Sequence, residues 1–261
     1  MIDLQVDRRG VATLTLARPE KHNALSQSLI EDLRAACRKI AASDDIRVVV
    51  LTGQGASFCA GGDLGWMREQ MAGDAQMRRA AAQSLADMLG AIDSLPQPVI
   101  GRINGNALGG GVGMACVCDV AIADDQAKFG LTEVRLGLIP ATIGPYVLAR
   151  MGVAKARQVF MSGRVFDAAE AVRLGIVARA VGSEALDDAV EKEVSPYLQA
   201  SPQAVAVAKA YARSLGPRID AETVARSIDA LIAQWETAAA KEGIDAFFDR
   251  RAPHWTDESG K

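Results

Sequence analysis

With 261 residues, 49% of them hydrophobic, the chain can bury a sizeable core as one domain or two. A net charge of −3 and a pI near 5.5 argue against a nucleic-acid-binding surface. No apolar run reaches the roughly 18 residues of a membrane span, and Met1-Ile-Asp-Leu-Gln-Val-Asp-Arg8 lacks the features of a signal peptide, so a cytoplasmic protein with no membrane contact is expected.

Leu4-Gln-Val-Asp7 and Val11-Ala-Thr-Leu-Thr-Leu16, on either side of Arg9-Gly10, predict a hairpin. Arg18-Pro-Glu-Lys-His-Asn-Ala-Leu25 reads as a loop, and Ser26 then suits the N-cap of a helix from about Leu29 to Ala41. Arg47-Val-Val-Val-Leu-Thr52 predicts a buried strand. It runs into a first glycine-containing loop, Ser57-Phe-Cys-Ala-Gly-Gly-Asp-Leu64. A helix over about Ala75 to Ser94 ends before Pro96 and Pro98. Val99-Ile-Gly-Arg-Ile103 is the next strand, followed by a second glycine loop, Asn104-Gly-Asn-Ala-Leu-Gly-Gly-Gly-Val-Gly-Met114. Val120-Ala-Ile-Ala123 and Ala127-Lys-Phe-Gly130 read as strands leading to a loop that carries Glu133. Beyond Ala141, apolar residues recur at helical spacing over 145–161, 184–200, 202–215 and 221–240.

The unit of strand, glycine loop and helix thus occurs twice, with Gly62 and Gly110 at corresponding places. Glycine leaves backbone N–H groups uncovered, and a helix start adds free N–H groups and a dipole that favour negative charge. Two such amides converging on one oxygen would make an oxyanion hole for a thioester enolate. Glu133 is the nearby carboxylate, and its apolar neighbours Phe129, Leu131, Val134 and Leu136 should raise its pKa towards neutrality. Blander readings stand beside these: glycines that only permit tight turns, and Glu133 paired with Arg135. Asp63 and Asp119 suit a helix cap and a turn, and Trp66 and Met67 suit ordinary packing as well as an acyl pocket. Only His22 and His254 are present, so histidine triads and multi-histidine metal sites have little to work with and no metal is expected. Cys37, Cys59, Cys116 and Cys118 are expected as buried packing thiols. Gly109-Gly-Gly-Val-Gly113 lacks the G-x-G-x-x-G register of a dinucleotide site.

Five motifs occur in register: Arg18-Pro-x-x-x-Asn-Ala-Leu25, Phe58-Cys-Ala-Gly-Gly-Asp63, Asn104-Gly-x-Ala-x-Gly-Gly-Gly111, Cys118-Asp119 and Glu133-x-x-Leu-Gly-x-x-Pro140. With Leu174-Gly-Ile-Val177 and the tail from Ile244 to Pro253, the chain resembles the crotonase, or enoyl-CoA hydratase/isomerase, superfamily over most of its length. The resemblance implies an α/β spiral of ββα turns, here residues 1–195, with a helical C-terminal oligomerisation region, residues 196–261, that builds homotrimers or dimers of trimers. It implies an acyl-CoA thioester as substrate and partner, with no separate cofactor, CoA being part of the substrate. The oxyanion donors it implies are the N–H groups of Gly62 and Gly110, with Glu133 as catalytic acid and base. Ala24 and Ala60 would hold the ADP end of CoA through main-chain groups, Asp63 and Leu64 would line the thioester region, and Trp66 would shape the acyl pocket. Phe247, Phe248 and Arg250 would cover the nucleotide from a neighbouring subunit.

The chain departs from the two-glutamate hydratases, whose first glutamate lies where Gly113 stands. The Thr-Gln-Arg segment usual after the proline is replaced by Pro140-Ala-Thr-Ile-Gly-Pro-Tyr-Val147. Both departures, with Asp63-Leu-Gly-Trp-Met67, resemble bacterial hydratases of branched glutaconyl-CoA thioesters: 3-methylglutaconyl-CoA in leucine breakdown, or isohexenylglutaconyl-CoA in acyclic terpene breakdown. Such a substrate carries a distal carboxylate, for which Arg68, Arg78, Arg79 and Arg135 are candidates. The rival expectations are a Δ3,Δ2-enoyl-CoA isomerase on the same scaffold, which also needs one base, and a non-catalytic acyl-CoA-binding protein.

Overall fold

The computed structural model describes residues 1–256. Strands β1 (Ile2–Val6) and β2 (Val11–Leu16) form the expected antiparallel hairpin, with Ile2 opposite Leu16. Helix α1 (Gln27–Ala41) is capped by Ser26, whose hydroxyl accepts from the Leu29 amide, and buries Leu29, Leu33, Cys37 and Ile40 on one face. Three ββα-like turns follow. The first comprises β3 (Val48–Gly53), β4 (Ser57–Cys59), α2 (Leu64–Ala72) and α3 (Ala75–Asp93). The second comprises β5 (Val99–Ile103), β6 (Asn106–Leu108) and α4 (Gly110–Val117), and the third β7 (Val120–Asp124), β8 (Lys128–Gly130) and α5 (Gly144–Met151).

The first strand of each turn joins one sheet, in the order β1-β2-β3-β5-β7-β10, and the second joins another, in the order β4-β6-β8-β9. The spiral follows from this alternation: each turn adds one parallel strand to each sheet. The unbroken apolar run of β3 reflects burial on both faces. Val49 and Leu51 enter the main core with Leu14, Leu33 and Phe58, while Val48 and Val50 enter a second cluster with Ile100 and Ile122.

The chain continues through α6 (Val153–Phe160), β9 (Val165–Asp167), α7 (Ala168–Leu174), β10 (Arg179–Val181), α8 (Leu186–Gln199), α9 (Pro202–Leu215), α10 (Ala221–Trp235) and α11 (Ala238–Asp249). Two expected helices are in fact pairs. The 145–161 stretch breaks at Gly152, whose φ of +73° a helix cannot contain. The 221–240 stretch stops at Trp235, and Thr237 caps a new helix by accepting from the Ala240 amide. Position 195/196 falls inside α8, which closes the second core cluster through Leu186, Val190 and Val194. Beyond it, Ile228 and Ile232 of α10 pack with Ala82 of α3, and Ala240 and Ile244 of α11 pack with Leu138 in the Glu133 loop. Among the described residues, no helix is long and apolar enough to cross a membrane. All four cysteines are free and buried.

Candidate active site

The loop before α1 is locked from within. Asn23, at φ +54° and fully buried, donates through Nδ2 to the carbonyls of Gln54 (2.9 Å) and Ser57 (2.8 Å) and accepts from the Arg18 amide (2.9 Å). This ties the Arg18–Leu25 loop to the turn between β3 and β4. Leu25 in turn donates to Gly61 O (2.7 Å) and accepts from the Asp63 amide (2.9 Å), so the backbone is clamped on both sides of Gly62. Gly62 itself is exposed, nothing lies within 4 Å of the place a Cβ would take, and among the described residues its N–H donates to no protein acceptor.

Asp63 opens α2. Its Oδ1 accepts from the amides of Gly65 (2.8 Å) and Trp66 (3.2 Å), and Oδ2 accepts from Arg18 Nη2 (3.0 Å). Burial alone would raise its pKa, but the Trp66 amide, the Arg18 guanidinium and the Gly65 amide outweigh it and hold the carboxyl below its usual range. Asp63 is therefore a cap and an anchor. Asp119 is an anchor too: it accepts from the Val99 amide (2.7 Å) and from Lys209 (2.7 Å), pinning α9 to the core.

The second glycine loop meets the first. Gly109, at φ +49°, has its amide on Gly130 O (2.8 Å), and a Cβ placed on it would lie 3.9 Å from Gly61 Cα. Gly110 begins α4, and its N–H likewise donates to no protein acceptor among the described residues. A Cβ at Gly111 would stand 2.3 Å from Cys59 O, a backbone clash that requires glycine there, whereas one at Gly110 would meet the movable end of the Leu25 side chain, Cδ1 at 2.5 Å.

Glu133 starts a 3₁₀ turn, Glu133–Leu136, directly after β8. Its Oε1 lies 3.1 Å from the Cβ position of Gly109, and its Oε2 is buried without a hydrogen-bond partner among the described residues. Burial pushes its pKa up to about 7, only partly opposed by its own backbone amide. Arg135 is exposed and, among the described residues, forms no ion pair with Glu133, so the surface-pair alternative does not hold. The two glycine loops thus meet at Gly61 and Gly109 beside the desolvated Glu133 carboxyl, and each loop carries an amide that donates to no protein acceptor among the described residues. Such a set can stabilise negative charge on an oxygen and move a proton near neutral pH.

The other expected residues fall differently. Ala24 is buried, and its carbonyl accepts from Arg18 Nη1 (2.9 Å); the Ala60 amide donates to His22 O (3.0 Å). Leu64 is 51% exposed at the start of α2, and Trp66 is half-buried against the main core. Phe247 is 46% exposed, whereas Phe248 joins Met71, Leu136 and Trp235 of its own chain, with the Arg68 guanidinium 4.4 Å from its ring centre. Phe248 is thus partly buried, with apolar contact to its own Glu133 loop holding one side of the ring.

Of the arginines offered for a distal carboxylate, Arg78 is committed elsewhere. It donates to the carbonyls of Gln70 (2.9 Å) and Gly73 (2.9 Å) at the end of α2, pairs with Glu236 and lies over the Trp235 ring. Arg79 pairs with Asp229 on the surface. Sequence patterning did not reveal Ile143, whose Cγ2 stands 2.6 Å from the Cβ position of Gly113 and closes the space a first glutamate would need. The glycine at 113 was the signal, but its partner is thirty residues away.

A family model described as enoyl-CoA hydratase/isomerase matches residues 7–258. Enoyl-CoA hydratase ACTT6 of Alternaria alternata is 37% identical over 225 residues, covering 85% of this chain and 74% of its own length. Among solved structures, an enoyl-CoA hydratase from Shewanella pealeana aligns with a TM-score of 0.80 at 34% identity, covering 97% of this chain and 95% of that one. Pseudomonas aeruginosa AtuE aligns with a TM-score of 0.80 at 33% identity, covering 98% and 99%. With the glycine loops and Glu133 brought together by two sheets of matching topology, the chain belongs to the enoyl-CoA hydratase/isomerase family, the crotonase superfamily.

Proposed function

We propose that the protein is an enoyl-CoA hydratase that adds water to a branched, glutaconyl-type α,β-unsaturated acyl-CoA, of the 3-methylglutaconyl-CoA or isohexenylglutaconyl-CoA kind. The observation that carries the chemistry is the Glu133 carboxyl, desolvated, with one oxygen unpartnered and the other against Gly109. The thioester oxygen accepts from the Gly62 and Gly110 amides, which stabilise the negative charge that develops when the β-carbon is attacked. One such donor is worth about 3–4 kcal/mol of barrier. Glu133 takes one proton from water as the oxygen bonds to the β-carbon, then delivers that proton to the α-carbon, so one water is added across the double bond. Ala24 and Ala60 serve the CoA end, Asp63 and Leu64 line the thioester region, Trp66 shapes the acyl pocket, and the chain works as a trimer or a dimer of trimers. Nothing beyond the chain, the thioester and water is required.

The closure of position 113 by Ile143 supports the one-glutamate subgroup, since no second carboxyl fits there. The same closure favours the second reading, a Δ3,Δ2-enoyl-CoA isomerase, because a lone base can shuttle a proton without water. The test is turnover of 3-methylglutaconyl-CoA, crotonyl-CoA and a 3-enoyl-CoA, with Glu133→Gln alongside and products resolved by mass. Glu133-dependent gain of 18 Da, the mass of one water, on the branched substrate is the expected result. Double-bond migration without mass gain moves the assignment to isomerase, and binding without turnover removes the enzymatic reading.

A further inference from the structure

Five buried side-chain atoms lack a hydrogen-bond partner among the described residues: Arg47 Nε, Gln70 Oε1, Gln97 Oε1, Glu133 Oε2 and Thr142 Oγ1. Arg47 and Gln97 bond through their other ends, to Ala200 O (2.7 Å) and Ile40 O (3.0 Å). Gln70, Glu133 and Thr142 have no such relief among the described residues, and the last two belong to the segment between β8 and α5. A buried hydroxyl without a partner is destabilising, so a fold retains one mainly where a ligand or a water completes it. Thr142 is only 5% exposed.

Its position relates it to Glu133. The Gly113 amide donates to Gly109 O (3.1 Å), so these two glycines lie on successive turns at the start of α4. Glu133 Oε1 faces the first (3.1 Å from its Cβ position), and Ile143, the bonded neighbour of Thr142, faces the second (2.6 Å from its Cβ position). Thr142 is the residue bonded to Ile143 on that same segment, and its buried hydroxyl is left without a partner among the described residues.

We propose that Thr142 is a positioning residue for the attacking water, supplying the second contact that position 113 does not. In this arrangement Thr142 Oγ1 accepts the O–H that the water keeps, while Glu133 accepts the one it gives up, and the water's free lone pair is aimed at the β-carbon. Thr142 gains and loses no proton. The role rests on the hydratase reading.

Thr142→Val and Thr142→Ser test it, with kcat, KM and Tm measured for water addition to crotonyl-CoA and to the branched glutaconyl substrate. Valine keeps the shape and removes the unpartnered hydroxyl, so Tm should hold or rise. We expect kcat to fall about 10- to 100-fold with KM within about twofold, and serine to restore most of it. A Thr142→Val enzyme with wild-type kcat overturns the role, as does a loss that serine does not rescue or that follows Tm alone. A wild-type enzyme that adds no water to either substrate overturns the hydratase reading first, and this role with it.

Discussion

Arg18 Nη2 donates to Asp63 Oδ2 at 3.0 Å, a pair whose side chains are each only 14% exposed. The same guanidinium reaches Ala24 O at 2.9 Å, so one side chain joins the loop before α1 to the residue that follows Gly62. Arg18→Ala leaves a sheltered carboxylate without its cation and should cost about 1–3 kcal/mol in urea unfolding. Asp63→Asn keeps the cap on α2 and should cost less. If the pair holds Gly62 in place, the two substitutions are non-additive in both stability and kcat/KM. Because the folded-state pKa of Asp63 lies below 3.8, its stabilisation is complete above the unfolded value and is lost as pH falls through the folded one. Additive losses in a double-mutant cycle would show that the pair does not act as a unit.

Glu133 gives the opposite pH dependence. Its folded-state pKa, about 7 against an ordinary 4.5, means the folded chain holds the proton after the unfolded chain has released it. Stability from this group is full below about pH 4.5 and declines as pH rises through about 7, by up to about 3 kcal/mol. Glu133→Gln should therefore be more stable than wild type at pH 8 and closer to it at pH 4.5. Hydration needs the carboxylate as base, so kcat/KM should rise with pH to a plateau above about 7. A flat profile across pH 5–8 with unchanged stability in Glu133→Gln would remove the carboxyl from both roles.

The glycine loops, Glu133 and the cap residues Ser26 and Asp63 were legible because each is set by local chemistry: backbone freedom, helix starts and residue type within a short segment. The two-sheet spiral was legible only through the family resemblance, since strand alternation alone does not say which sheet a strand joins. What escaped was contact between elements. Ile143 against Gly113 and Phe248 in its own chain's cluster join segments far apart in sequence, while Arg78 reaches back across the break between α2 and α3 to the carbonyls that end α2. The Arg78 case is instructive: a charged residue on a helix reads as solvated, yet its guanidinium is drawn inward by unpaired helix-end carbonyls.

Gly62 offers a clean separation of fold from chemistry. Its N–H holds no protein acceptor among the described residues, so Gly62→Pro removes a donor without breaking a protein hydrogen bond. Gly62→Ala adds a methyl that meets nothing within 4 Å and keeps the amide. Alanine should leave Tm within about 2 °C of wild type. Proline should lower kcat by about 10²- to 10³-fold, the loss expected for one oxyanion donor, with alanine serving as the backbone control. A folded Gly62→Pro enzyme of near wild-type kcat would mean that the amide is not aimed at the reacting oxygen.

The contact between Gly113 and Ile143 makes the missing glutamate hard to restore. A Cβ at 113 would lie 2.6 Å from Ile143 Cγ2 and 3.0 Å from its Cβ, with Leu89 Cδ2 at 3.7 Å. Gly113→Glu should therefore lower Tm by several degrees and gain no second base, because overpacking at a buried position costs about 1–3 kcal/mol before any charge is buried. Gly113→Ala isolates the steric part. Ile143→Ala alone opens a cavity and should cost about 2–5 kcal/mol. Combined, the small methyl at 113 fills part of what Ile143 vacates, so the double variant should be more stable than the sum of the singles by about 1 kcal/mol or more. Strict additivity in chemical denaturation would show that Ile143 is not what excludes a side chain there, and the one-glutamate site would then need another structural cause.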